Sequence, residues 1–306
     1  MTKFVQLLLQ TLTLGSLYAL IALGYTLVYG ILRFINFAHS DIFTFGAWMA
    51  FTIATAIGWA TTDSPVFAMP VVMILAMAAA AALGFSIERL AYRPLRRAPR
   101  LNVLITAIGV SLLLQNVGAL PEVFGKDPQP MPSLLSSEPL VTIATVRVPW
   151  VDVALVGLAI ALVVGLQWLV YRTRLGQAMR AVSWNEQFAA LMGIPVDRVV
   201  SITFMIGSAL AAAGGVLYGL KYRQLNQTAD ALWVLLGLKA FVAAVVGGIG
   251  NVRGAVVGAV LIASIEVFGA GYVSSKLPDL FVFGVLIVML LFRPAGLLGN
   301  AAVEKV

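Results

Sequence analysis

The chain of 306 residues is 61% hydrophobic and only 11% charged, whereas a soluble domain carries about 25% charged residues, so a soluble globular enzyme is excluded. It has no cysteine and one histidine, which removes disulfides, thiolate chemistry and any multi-histidine metal site. The formal net charge of +7 sits in short Arg and Lys clusters between apolar runs, a pattern that fits the positive-inside rule and lacks the basic stripe of a nucleic-acid-binding surface.

Apolar runs near the ~20 residues that cross a bilayer as a helix lie at 4–32, 41–58, 66–90, 101–118, 151–171, 199–220, 232–250, 254–271 and 277–292. Eight or nine crossings are predicted, in an all-α polytopic bundle that makes 1–306 a single transmembrane domain; unbroken runs of this length do not suit a β-barrel. Only Lys3 precedes the first run, which is too long for a cleavable signal peptide, so the start is expected to be retained.

Between the first two runs, 33–40 reads RFINFAHS and is followed by Asp41. The cluster Arg33, Asn36, His39, Ser40 and Asp41 fits either a cytoplasmic connection in which Asn36 and Ser40 cap helix ends, or a helix break within the membrane that exposes polar groups to a solute. The segment 59–65 carries Asp63 and is expected to face outward. The third run carries Glu88 near its end, and the connection after it holds Arg93, Arg96, Arg97 and Arg100, which marks it as cytoplasmic. The fourth run carries Gln115 and Asn116. The loop 119–150, with Glu122, Asp127 and Glu138, is expected to be extracytoplasmic.

The segment 172–198 (RTRLGQAMRAVSWNEQFAALMGIPVDR) contains Arg172, Arg174, Arg180 and Arg198 and is expected to be cytoplasmic. Within it Met179, Val182, Phe188, Leu191 and Met192 give a broadly amphipathic helical pattern ended by Gly193 and Pro195. Such a helix can lie on the membrane or dock into a partner's groove. Small residues recur every four positions at Gly207, Ala211, Gly215 and Gly219, at Gly250, Gly254 and Gly258, and at Ala76, Ala80 and Gly84, which predicts close helix packing. Segment 221–231 carries Asp230 and is expected outside. No G-x-x-x-x-G-K-[ST] occurs, so the chain has no phosphate-cradling loop of that kind. Gly247, Gly248, Gly250 and Gly254 have no βαβ unit around them and read as a tight turn between helices. Around a turn near Asn251, Lys239 and Glu266 lie twelve and fifteen residues away on antiparallel helices, an offset of about one helical turn that predicts an ion pair. Arg293 and Lys305 place the tail in the cytoplasm.

The runs GYTLVYGILRFINFAHSDIFTFGAW, RLGQAMRAVSWNEQFAALMGIPVDRVVSITFMIGSALAAAGGVLYG and GLKAFVAAVVGGIGNVRGAVVGA, with IERLAYRPLR at 87–96 and the ending RPAGLLG, resemble the LivH-type permeases of branched-chain amino acid ABC importers. The resemblance spans nearly the whole chain. It implies a multi-pass permease of the bacterial inner membrane that works with a second, LivM-like permease subunit, two cytoplasmic ATPases that bind the ATP, and a periplasmic solute-binding protein. It implies no cofactor in this chain, no covalent step and no nucleic acid, with membrane lipid as the surrounding medium. The segment from Met179 to Gly193 matches the family's coupling helix, so Arg180, Glu186, Ala189, Ala190 and Gly193 are expected to meet the ATPase. Asn36, His39, Ser40, Gln115 and Asn116 are the candidates for the substrate path. The chain departs from the family pattern in NFAHS where NFAHG is expected, in SWNEQ where relatives are more acidic, and in LNQTA at 225–229, where an Asn-Pro is expected and Asn226 alone matches. The mechanism implied is alternating access. A permease for urea or short amides, and an ion-driven transporter using Glu266, are the alternative readings. A loose echo of 14–31 in 206–220 suggests a duplicated bundle.

Overall fold

The fold is given by a computed structural model that describes residues 2–59, 65, 67–96, 98–135, 139–143 and 146–299. The expectations placed on Asp63, Arg97, Glu138 and Lys305, and on the side chain of Arg100, lie outside the described residues. Eleven α-helices follow one another among these residues: α1 (Thr2–Leu32), α2 (His39–Ala56), α3 (Ala68–Ile87), α4 (Arg100–Gly118), α5 (Trp150–Arg172), α6 (Arg174–Trp184), α7 (Glu186–Leu191), α8 (Val196–Tyr222), α9 (Ala231–Gly247), α10 (Val252–Tyr272) and α11 (Pro278–Phe292). A π-helical turn (Glu88–Tyr92) and a 3-10 turn (Arg93–Leu95) extend α3. Short strands β1 (Gln129–Pro130) and β4 (Gln224–Leu225) pair antiparallel, and β2 (Pro139–Ile143) with β3 (Val146–Pro149) forms a hairpin.

The expected runs reappear as helices within a few residues at each end, because apolarity over this length leaves the backbone no partner but itself. Six helices are long and apolar enough to cross a membrane: α1, α3 with its extension, α4, α5, α8 and α10. Helices α9 and α11 are apolar but shorter, and α2 opens on the polar His39-Ser40-Asp41, so the expected eight or nine crossings are met in six by length and composition.

Helices α1 and α8 form the centre. Leu17 to Leu23 and Leu210 to Val216 are buried on every side. The two helices cross at Gly24 and Gly207, where a Cβ on Gly207 would stand 3.4 Å from the Gly24 carbonyl oxygen. On α8, Gly215 lies against the Phe43 carbonyl of α2, and on α3, Gly84 lies against Ser208. Gly258 of α10 faces Ala243 and Gly247, while Gly250 belongs to the turn before α10 and faces Gly30. These are close approaches, to backbone or to a small side chain, that only small residues permit.

The internal echo has a counterpart in the packing. Helix α1 packs on α10 and α9 as α8 packs on α3 and α2, and α2 neighbours α3 as α9 neighbours α10. The helix ends sort into two groups. Lys3 Nζ donates to the Gly271 carbonyl (2.6 Å) and β1 pairs with β4 at one end. At the other, Arg33 reaches Ser183, Gly30 meets Gly250, and Leu297 N donates to the Val246 carbonyl (2.8 Å). The α1–α2 break thus lies at the same end as α6, α7 and the 93–100 connection, which the charge pattern of the first 58 residues left open.

Candidate functional site

Two long helices stop at an Arg held in the left-handed backbone region. Arg33 (φ 54°) ends α1 and Arg223 (φ 56°) ends α8, and they are the only two non-glycine residues with positive φ among those described. Such a conformation costs an ordinary residue about 1–2 kcal/mol and breaks the helix. After each break the chain turns back toward the bundle: His39 lies beside Gly24 of α1 and hydrogen-bonds the Ile21 carbonyl (3.2 Å), well short of the α1 end. This favours the break-within-the-bundle reading of RFINFAHS. Helix α2 therefore starts at depth, and its first turn carries the polar cluster.

The polar groups are bonded in separate sets that join several helices. Tyr92 OH donates to Asn36 Oδ1 (2.6 Å), and Asn36 Nδ2 is buried without a partner. Ser40 donates to the Phe37 carbonyl (3.2 Å) and lies against Gly237 of α9. Gln115 Nε2 on α4 donates to Asp41 Oδ1 (2.9 Å), and Thr228 donates to the Gln115 carbonyl (2.8 Å). Asp41 Oδ2 is buried and unpartnered. Trp48 and Trp233 both donate to the Asn226 carbonyl, at 3.0 and 3.3 Å, fixing the second break against α2 and α9. A cavity of about 160 Å³ lies beside this clasp, with Asp41, Thr44, Gln115 and Thr228 among otherwise apolar walls of Leu83, Leu114 and Phe124.

Of the expected path residues, Asn36, His39, Ser40 and Gln115 thus gather around the α2 start. Asn116 does not: it is exposed on the outer face of α4 and donates to the Leu112 carbonyl (2.7 Å). His39 is 1% exposed and packed on Tyr25, ring centroids 4.5 Å apart, a core position. Thr228, Tyr92 and the two Trp residues were not singled out from the sequence. The departure LNQTA from the expected Asn-Pro was the one signal pointing at the Thr228 segment.

At the Arg-rich end the expected single amphipathic helix is two. Thr173 caps α6 by accepting from Gly176 N (3.1 Å), and Asn185, with φ −157°, ends α6 and caps α7 by accepting from Phe188 N (3.0 Å). Gly193 (φ 80°) stops α7. The break reverses the two apolar sets. Met179, Val182 and Ala189 are buried against Val199, whereas Trp184, Phe188, Leu191 and Met192 are 79, 66, 81 and 83% exposed. Ala189 therefore anchors α7 and is not presented outward; Glu186, Ala190 and Gly193 are exposed. Arg180 bonds the Val170 carbonyl and lies over the Tyr171 ring, which fastens α6 to α5. Ser183 donates to the Gly30 carbonyl and Arg33 Nη2 to the Ser183 carbonyl (3.3 Å), so α6 is tied to the α1–α2 break.

Two ion networks hold the frame. Lys239 Nζ lies 2.6 Å from Glu266 Oε1, as expected, and also 2.6 Å from Asp279, while Tyr18 OH donates to Glu266 Oε2 (2.6 Å). Glu88 is fully buried, paired with Arg96 and accepting from Ser201 (2.6 Å); Arg96 also reaches Asp197 (2.7 Å). Among the described residues, no group of three or more His, Cys, Asp or Glu could hold a metal.

Comparison with known proteins places this arrangement among transport proteins. The family model described as "Branched-chain amino acid transport system / permease component" matches residues 7–291. The high-affinity branched-chain amino acid transport system permease protein BraD of Pseudomonas aeruginosa is 40% identical over 310 residues, 99% of this chain and 98% of that protein. The LivH permease proteins of Salmonella typhimurium and Escherichia coli K12, described in the same terms, are each 39% identical over 312 residues, with the same coverage.

Proposed function

The chain belongs to the family of branched-chain amino acid transport permeases, and from that premise we propose that it is the membrane subunit of an ABC importer that moves branched-chain amino acids across the bacterial inner membrane. It hydrolyses nothing itself: separate ATPase chains bind ATP, a second permease completes the path, and a periplasmic protein delivers the solute. The observation that carries this reading beyond family likeness is the α6–α7 knob. Four large apolar side chains, Trp184, Phe188, Leu191 and Met192, project from the Arg-rich end of the bundle, and an exposed apolar cluster on a short, capped helix is suited to a partner's groove.

The Arg-rich end is the cytoplasmic one, so the amino terminus and the β1–β4 pair face outward. Helices α1–α5 and α8–α11 cross in alternation. Helices α2 and α9 each start after a break, which leaves backbone and polar side chains at depth for a solute. Coupling runs from α7, through Ser183 and Arg33, to the Asn36–Ser40 break and the Asp41–Gln115–Thr228 clasp. The ion-driven alternative is disfavoured because Glu266 is held by Lys239 and Tyr18; no open acid is left there to carry a proton.

The test is reconstitution with the partner subunits and binding protein, with uptake of labelled leucine and urea measured in parallel. ATP-dependent leucine uptake that collapses in Leu191→Glu, together with loss of the co-purifying ATPase, is the expected result. Urea uptake would change the cargo. Uptake that follows an ion gradient without ATP would overturn the reading.

A further inference from the structure

A groove of about 820 Å³ opens on the side of the bundle between the end of α3 and the start of α8. Its two walls are built alike. On α3 and the π and 3-10 turns that extend it, Phe85, Arg89 and Arg93 follow one another at four-residue steps, and on α8, Arg198, Ile202 and Met205 follow at steps of four and three. The helices run antiparallel, with Gly84 against Ser208 and Glu88 bonded to Ser201, so both stripes are basic at the same end of the groove and apolar at the other. Arg93 pairs with Asp197. Among the described residues Arg89 and Arg198 pair with no carboxylate, and Arg89 rests on the Phe85 ring at 5.8 Å. Three guanidinium groups against one acid leave the rim positive. Beside it Leu90 is 78% exposed.

We propose that this groove binds an anionic phospholipid of the inner leaflet, its phosphodiester held by Arg89 and Arg198 and its first methylenes laid along Phe85, Ile202 and Met205. Charge complementarity and the amphiphilic grading of both walls select a lipid over a peptide or a free anion: a planar guanidinium pair suits a phosphate, and basic pockets between transmembrane helices at the cytoplasmic side take anionic head groups. Ala190 and Pro195 close the groove next to α7, so an occupied site braces the docking knob. The proposal rests on the membrane placement argued above, not on the identity of the cargo.

The test is native mass spectrometry of the purified full chain exchanged into mild detergent with phosphatidylglycerol or phosphatidylethanolamine. Phosphatidylglycerol should be retained over phosphatidylethanolamine, and the Arg89→Gln, Arg198→Gln double variant should lower its retention by about tenfold or more, with Arg147→Gln on the outer hairpin as an unaffected control. Equal retention of the two lipids, displacement by inorganic phosphate, or unchanged retention in the double variant would each overturn it. So would loss of the lipid on assembly with the partner subunits, which would make the groove a protein interface. The headgroup comparison on the wild-type chain needs no variant and stands even where the double variant fails to fold.

Discussion

Lys239 shows how single charges are kept in an apolar bundle. Its ammonium lies between Glu266 and Asp279, and Glu266 is also held by Tyr18, so four helices converge on one compensated cluster. Removing the cation leaves two acids, Glu266 and the half-exposed Asp279, without their counter-charge, whereas removing one acid leaves the cation its second partner. Lys239→Met should therefore destabilise by about 2–3 kcal/mol and Glu266→Gln by only about 1–2 kcal/mol, measured as apparent unfolding temperature in detergent. Uptake by Glu266→Gln should remain ATP-dependent; its abolition with assembly intact would revive an ion-coupled role. The Lys239–Glu266 pair was legible in the sequence because a tight turn fixes the register of two antiparallel helices. Tyr18 and Asp279 were not, since they sit on α1 and α11, whose rotations toward α10 and α9 are set by packing and leave no mark in spacing.

At the scale of elements, small-residue strips were legible but their individual tolerance was not, because spacing cannot say whether backbone or side chain faces each position. On α8, a Cβ at Gly207 would meet Gly24 at an ordinary 3.4 Å, while one at Gly215 would run into the Phe43 carbonyl, a backbone atom that cannot step aside. Gly207→Ala should thus be tolerated, and Gly215→Ala should cost roughly 1–3 kcal/mol, read as the yield of monodisperse protein; equal behaviour of the two would refute the packing. The α6–α7 pair teaches a related lesson. A pattern of apolar residues from Met179 to Met192 reads as one helix, but Asn185 caps and divides it, turning Met179 and Val182 inward and Phe188 and Leu191 outward. Asn185→Ala removes the cap, worth about 1 kcal/mol, and favours a continuous helix that rotates Phe188 away from its direction. ATPase co-purification should fall in Asn185→Ala and persist in Asn185→Asp, which keeps the capping oxygen.

At the scale of the whole molecule, the long helices were legible to within a few residues at each end. What the sequence left open was the depth of the α1–α2 break, because a short polar stretch reads alike as a surface turn or a re-entrant one. The structure favours the second through His39, which lies beside Gly24 and bonds the Ile21 carbonyl (3.2 Å), while Arg33, whose left-handed backbone ends α1, reaches the Ser183 carbonyl on α6 (3.3 Å). That contact lies between the α6–α7 knob and the buried polar clasp, so on the coupling proposed above a displacement of α6 would pull on the break. The role of the side chain and that of the backbone can be separated. Arg33→Gly relieves the left-handed strain and should raise stability by up to about 1 kcal/mol, whereas Arg33→Ala keeps the strain; both remove the grip. Each variant should retain ATP hydrolysis in the assembled importer while leucine uptake falls roughly fivefold or more, with Ser183→Ala, which loses the bond to the Gly30 carbonyl, moving in the same direction. Hydrolysis and uptake falling together would mean that the contact only stabilises the fold, and full uptake in Arg33→Gly would mean that the force travels by another route.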